Sequence, residues 1–357
     1  TPNYFNSFFQ FQKERAKKGY SLASESLQET IEQCDTIITE ESLNHNSHFL
    51  QLTFQERLVP LISQNIISKE EALNYINKNN SVLKTTVLPA YLNLKDNLQS
   101  LQTEEIPLTG LSKKEKGTEY YQWLVQKQTG CSLSIPDILR KLEEDYERNL
   151  YKFRYLQEKV AAYPDYEDYI KTPFPLSDRS EMLKKLQLFS KSDFPDLSAF
   201  SDKPIFTTIK SVNDCMEEYT SPAFYLIPPI DDIRQNTIYI NNSSTPEGLD
   251  LFTTLAHEGY PGHLYQNVYF NRSCIASAER PARQLLWYGG YLEGWALYVE
   301  FLSFDYASEL LQEHELANEA VMAQLEKHSR SLQLCLYSLL DVLIHYENTN
   351  YSQIADL

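Results

Sequence analysis

His263 follows His257 by six positions, and Pro261-Gly262 lies between them. No continuous α-helix accommodates this stretch and keeps both imidazoles together. At 3.6 residues per turn the second ring would sit about 240° round the axis from the first. Proline has no N–H for the helical ladder, and glycine adopts backbone angles that other residues avoid. The segment His257-Glu258-Gly259-Tyr260-Pro261-Gly262-His263 therefore predicts a helix that breaks and swings His263 back beside His257. Upstream, Pro246-Glu247-Gly248 reads as a helix start, and Leu249, Phe252, Leu255 and Ala256 carry an apolar face toward His257.

Thirty residues on, Glu293-Gly294-Trp295-Ala296-Leu297-Tyr298-Val299-Glu300 lies in a second predicted helix, Arg283 to Leu311. Its two acids are seven residues apart, about 20° from sharing one face. Two His and one Glu, with a non-ligand Glu beside the first His, form the donor set of a hydrolytic zinc site. Three protein ligands leave a position for water, and a free carboxylate takes its proton. The linker Asn271–Pro281 is long enough to bring the two helices face to face.

The segments HEGYPGH and EGWALYVE resemble the signatures of the bacterial "domain of unknown function 885" family. The resemblance extends to Tyr225-Leu226-Ile227-Pro228-Pro229, to the run Arg234–Asn241 and to Asp341-Val342-Leu343-Ile344-His345, with a weaker echo at Gly117–Tyr121. It implies relationship to the gluzincin metallopeptidases, with His257 and His263 as metal ligands, Glu293 as the third ligand and Glu258 as general base. Glu300 is then left to hold a ligand His in its tautomer. The resemblance also implies that Asp341 and His345 lie near the active site, His345 donating to the oxyanion. Arg234 and Tyr239 are candidates for substrate contact, Arg234 alternatively pairing with Asp231 or Asp232. The family pattern carries a further His where this chain has Leu264, which puts one substrate or ligand-orienting contact in doubt.

The expected activity is a zinc-dependent metallohydrolase cleaving amide bonds of short peptides. An inactive zinc-containing binding protein, or a zinc amidase or esterase on non-peptide substrates, are the alternatives. The family relationship points to an exported or lipid-anchored protein whose leader is absent from this chain, with the cytoplasm as the alternative. The family continues through a further helical stretch, so the chain is expected to be truncated after Leu357.

Composition bounds the rest. With 10 Gly in 357 residues, abundant Leu, Glu, Gln and Lys favour helix, so the fold class is mainly α with a small sheet or hairpin beside the zinc-binding helix. Residues 1–200 read as an N-terminal helical region and 201–357 as the catalytic region, packed as one unit, with Ser190–Lys203 as the linker. Leu27, Ile31, Cys34 and Ile38 recur at helical spacing, Ser68–Glu71 is a capping box, and Ser134 starts a long helix. Strand signal falls at Pro204–Ile209, Ala223–Ile227 and Thr237–Asn241, the last two forming a hairpin. Trp287, Tyr288, Trp295 and Tyr298 read as core aromatics, and His45, His48, His314 and His328 as surface residues. A net charge of −17 argues against nucleic acid as a partner. Five scattered Cys frame no disulfide set, no apolar run is long enough to span a membrane, and the sequence leaves oligomeric state undetermined.

Overall fold

The computed structural model describes residues 1–102, 109–163, 172–200, 204–229, 233–244, 246–273 and 288–350. The fold is mainly α with a small mixed sheet. Contacts divide the chain into two compact units, Thr1–Leu108 with Asn213–Tyr219, and Thr109–Val212 with Thr220–Leu357. The 1–200 region of the sequence reading thus takes in the first unit and the start of the second.

The first unit is helical: α1 (Pro2–Lys17), α2 (Ser24–Thr36), α3 (Glu40–Asn44), α4 (Phe49–Ser63), α5 (Lys69–Val82) and α6 (Leu88–Gln99). Leu27, Ile31 and Cys34 of α2 pack with Leu94 and Leu98 of α6 in one cluster, and Ile38 joins Leu43 and Leu83 in another. The Ser68 side chain accepts from the Glu71 N–H, and the Glu71 carboxylate accepts from the Ser68 N–H, closing the predicted capping box. His48 departs from its surface assignment. It is buried, caps α4 by accepting from the Leu50 N–H, and bonds the Ile37 carbonyl at 2.9 Å.

The second unit holds α7 (Gly117–Thr129), α8 (Ile135–Ala161), α9 (Arg179–Asp193), β1 (Phe206–Ser211), β2 (Ala223–Leu226), β3 (Gln235–Ile240), α10 (Gly248–Glu258), α11 (His263–Ser273), α12 (Gly289–Glu313) and α13 (Ala317–His345). The hairpin is present as antiparallel β2–β3, and β1 adds in parallel on the far side of β3, leaving β2 at the edge. Part of the predicted 190–203 linker is helix, since α9 runs to Asp193, and residues 201–203 fall outside the described set. The core is built from α9, the sheet, α10, α11 and α12, with Phe252, Leu255, Ala256, Leu264 and Ile238 fully buried.

His328 is also buried, its Nδ1 meeting Asn149 Oδ1 at 2.8 Å, so it joins α13 to α8 rather than facing solvent. His45 and His314 are exposed as expected. Trp295 packs against the core, but Tyr288 and Tyr298 are exposed, and Trp287 lies outside the described residues. The four described cysteines are free, and no described helix is long and apolar enough to cross a membrane.

Candidate metal centre

The break between α10 and α11 creates the site. α10 ends at Glu258, placing His257 in its last turn, and α11 begins at His263. Two backbone bonds stitch the turn, Tyr265 N–H to the Gly259 carbonyl and Gln266 N–H to the Gly262 carbonyl. A Cβ on Gly262 would lie 1.7 Å from the His257 carbonyl oxygen and 2.3 Å from that of Ala256. Only glycine lets the chain fold this tightly onto the end of α10. Trp295 of α12 donates Nε1–H to the Pro261 carbonyl at 2.8 Å, fastening the turn to the helix that carries Glu293.

The result brings three predicted side chains together. The rings of His257 and His263 lie 4.9 Å apart and nearly perpendicular. Glu293 Oε2 is 3.5 Å from His257 Nε2 and 3.4 Å from His263 Nε2, and one donor atom from each residue lies within 4.8 Å of the others. Metal–ligand legs of about 2.0–2.2 Å in a tetrahedron put donor atoms roughly 3.3–3.6 Å apart. The two His–Glu separations fit that size, and the nitrogen and oxygen donors suit zinc.

Glu300, two turns beyond Glu293 on α12, accepts from His257 Nδ1 at 2.9 Å. That bond assigns the ring proton to Nδ1 and turns Nε2 toward the donor cluster. The other oxygen of Glu300 accepts from Arg330 Nε of α13 at 3.0 Å. Arg330 is the residue sequence reasoning missed. Its only local signal is a polar stripe, Glu326, Ser329, Arg330 and Gln333, at helical spacing.

Glu258 is buried beside the cluster, and its Oε2 accepts from the Tyr225 backbone N–H of β2 at 2.7 Å. Burial raises its pKa against the pull of His257 and His263. Burial also disfavours a charged His257, but the carboxylates of Glu293 and Glu300 outweigh it and push the ring up to about 9. Hydrogen bonds from both imidazoles hold Glu293 far below the usual carboxylate range.

These groups open on a cavity of about 970 Å³. One face of α10 lines it with Asp250, Thr253, Thr254, His257 and Glu258. One face of α11 contributes His263, Gln266, Asn267, Phe270 and Asn271, and the α13 stripe faces them along with edge strand β2. Leu264 is fully buried in the core and does not line this space.

Three predicted site residues lie elsewhere in the second unit. His345 does not line the cavity, so the oxyanion role is not supported by its position. Its Nδ1 accepts from the Leu111 N–H at 3.0 Å and its ring stacks on Tyr121. Asp341 accepts from the Tyr121 hydroxyl at 2.5 Å, so the pair anchors the start of α7 to the end of α13. Arg234 sits in the turn before β3, its carbonyl accepting from Phe206 N–H, and does not line the cavity; Asp231 and Asp232 lie outside the described residues. Tyr239 reaches the cavity only indirectly, stacked at 5.1 Å on Phe224, which does line it.

A family model described as "Bacterial protein of unknown function (DUF885)" matches residues 1–351. The chain belongs to the DUF885 family. Among solved structures, it is similar to a "putative lipoprotein" from Colwellia psychrerythraea, with a TM-score of 0.71 and 18% identity. That match covers 99% of this chain and 60% of the other, so this DUF885 chain spans about three fifths of its structural relative. At this identity the likeness concerns the fold. No curated protein matches the chain.

Proposed function

We propose that this DUF885 protein is a zinc-dependent hydrolase that cleaves amide bonds of short peptides. The observation that carries the reading is the convergence of His257, His263 and Glu293 donor atoms within 4.8 Å, with Glu258 alongside. A zinc ion held by these three ligands supplies Lewis acidity toward a water and toward the substrate carbonyl. Glu258 is anchored through Oε2 by the Tyr225 N–H, which leaves Oε1 to take the proton of the attacking water and pass it to the leaving amine. Its raised pKa suits that exchange, because a base nearer neutrality both accepts and returns a proton. Glu300 fixes the His257 tautomer, and Arg330 holds Glu300 in place.

An extracytoplasmic location belongs to the same reading, supported by the lipoprotein label of the similar structure. Metal analysis combined with a quenched peptide library tests the activity. Wild type is expected to copurify with or take up one zinc and cleave peptides. Glu258→Gln is expected to retain zinc and lose about 10²–10⁴-fold in kcat. Cleavage undiminished in Glu258→Gln, or no zinc bound at neutral pH, would end the proposal. Zinc without cleavage would leave a binding protein.

A further inference from the structure

The N–H that anchors Glu258 belongs to an edge strand, at a position the sheet does not itself hold. In an antiparallel pair each residue turns its N–H and C=O to the same side. Asn241 N–H donates to the Pro222 carbonyl at 2.8 Å, so Pro222, Phe224 and Leu226 face β3. Tyr225 therefore faces the other way, as its bond to Glu258 requires. The ladder gives the Tyr225 backbone no hydrogen bond of its own, although its N–H carries Oε2 of the proposed base.

The side chain supplies the hold. Asn236 lies two residues before Ile238, the register partner of Tyr225, so both side chains emerge on one face of the sheet. The Tyr225 hydroxyl donates to Asn236 Oδ1 at 2.6 Å and accepts from Asn267 Nδ2 of α11 at 3.0 Å. Two further bonds orient those amides. Asn236 gives Nδ2–H to the Ile233 carbonyl at 3.1 Å, and Asn267 Oδ1 accepts from Asn271 Nδ2 at 3.1 Å. Asn267 stands one turn beyond His263 on α11. The hydroxyl thus ties the strand that holds Glu258 to the helix that begins with His263, across the break between α10 and α11.

We infer that Tyr225 is a positioning residue: its hydroxyl, clamped by Asn236 and Asn267, keeps the Tyr225 N–H on Glu258 Oε2 and so sets the base relative to His263. The role of Glu258 as base rests on the hydrolase reading; the clamp does not. Removing the hydroxyl takes from Asn236 and Asn267 their shared partner and lets β2 shift at the one backbone position that Glu258 uses. A reacting group misplaced by about 1 Å costs up to about 10²-fold in rate. The helices carrying His257, His263 and Glu293 are packed in the core without the clamp, so the metal ligands stay.

Two readouts test this, and the first needs no turnover. Phe224-Tyr225 is the only Phe-Tyr pair in the sequence, so ¹³C-carbonyl phenylalanine with ¹⁵N-tyrosine singles out the Tyr225 amide by NMR. In zinc-loaded protein its hydrogen exchange is expected to be slow in wild type and about tenfold faster in Glu258→Ala. It is expected to be about tenfold faster in Asn267→Ala as well, although Glu258 is intact there. The second readout is kinetic. Tyr225→Phe is expected to lower kcat about tenfold, with KM and zinc content within twofold of wild type, and to cost less than twofold when added to Glu258→Gln. Fast exchange in wild type, or unchanged exchange in Asn267→Ala, overturns the inference. So does an unchanged kcat, a kcat lost together with zinc, or an equal loss in the Glu258→Gln background, which marks a merely structural role. Circular dichroism verifies each fold, and exchange in Asn267→Ala decides the matter if Tyr225→Phe does not fold. A wild type that cleaves nothing defeats only the hydrolase reading, since exchange still tests the clamp.

Discussion

Glu300 shows how much one carboxylate organises at the scale of the residue. Its two oxygens join the His257 imidazole to a guanidinium from another helix, and burial is outweighed by His257 and Arg330 so that it stays ionised. The two His and the acids of the second helix were legible because their types and spacing are local. Arg330 was not, because its partner lies 30 residues upstream and nothing in the local pattern marks a cross-helix pair. His345 shows the reverse: a one-turn pairing with Asp341 reads as a site, whereas the fold uses it to hold Leu111. The His257 environment also has a pH signature. Its folded pKa of about 9 lies above the unfolded value near 6.5, so the protonated ring stabilises the fold. That contribution is complete below about pH 6.5 and is lost as pH rises through 9. The metal-free protein is expected to melt at progressively lower temperature between pH 6.5 and 9, and Glu300→Gln to flatten the slope. A wild-type slope identical to that of Glu300→Gln would contradict the assignment.

At the scale of the element, the sequence was most readable where a signal is short and self-contained. The Ser68–Glu71 box, the Ser134 start of α8 and the β2–β3 hairpin all formed where local chemistry put them. The parallel seat of β1 on β3 was not deducible, since it joins strands separated by β2 and the chain between. The helix break sits between these cases: Pro261-Gly262 announces it, but the contact that demands glycine is visible only in three dimensions. Gly262→Ala would drive a methyl into the His257 and Ala256 carbonyls, backbone atoms that no rotamer change can move. The expected cost is about 3 kcal/mol, as for a strongly overpacked core site, with a large loss of zinc affinity as His263 is pushed out of register. Urea denaturation and zinc titration of the variant measure both. Wild-type values in each would mean that the turn does not depend on this close approach.

For the whole molecule, the division into units was the least legible feature. The loop-like run Ser190–Lys203 suggests a boundary near residue 200, but contacts group Asn213–Tyr219 with the first hundred residues and leave the remainder together. One side chain in that segment shows why. Cys215 Sγ lies 3.9 Å from the Ile37 carbonyl, a pairing across 178 positions that no window of sequence reports. The consequence for function is that His257, His263 and Glu293, the supporting pair Glu300 and Arg330, and the described residues of the cavity all belong to the second unit. A ligand that binds only the folded form stabilises what it touches by about 2.7 kcal/mol at a hundredfold excess over Kd, roughly a hundredfold slowing of exchange through cooperative opening. Zinc is thus expected to slow amide hydrogen exchange in α10, α11, α12 and α13, whose side chains converge on the site. Exchange in α5 and α6 of the first unit is expected to stay within twofold of the metal-free rate. Equal protection of α5 and α6, or none in α10 to α13, would show that the cation is held somewhere other than the His257–His263–Glu293 cluster.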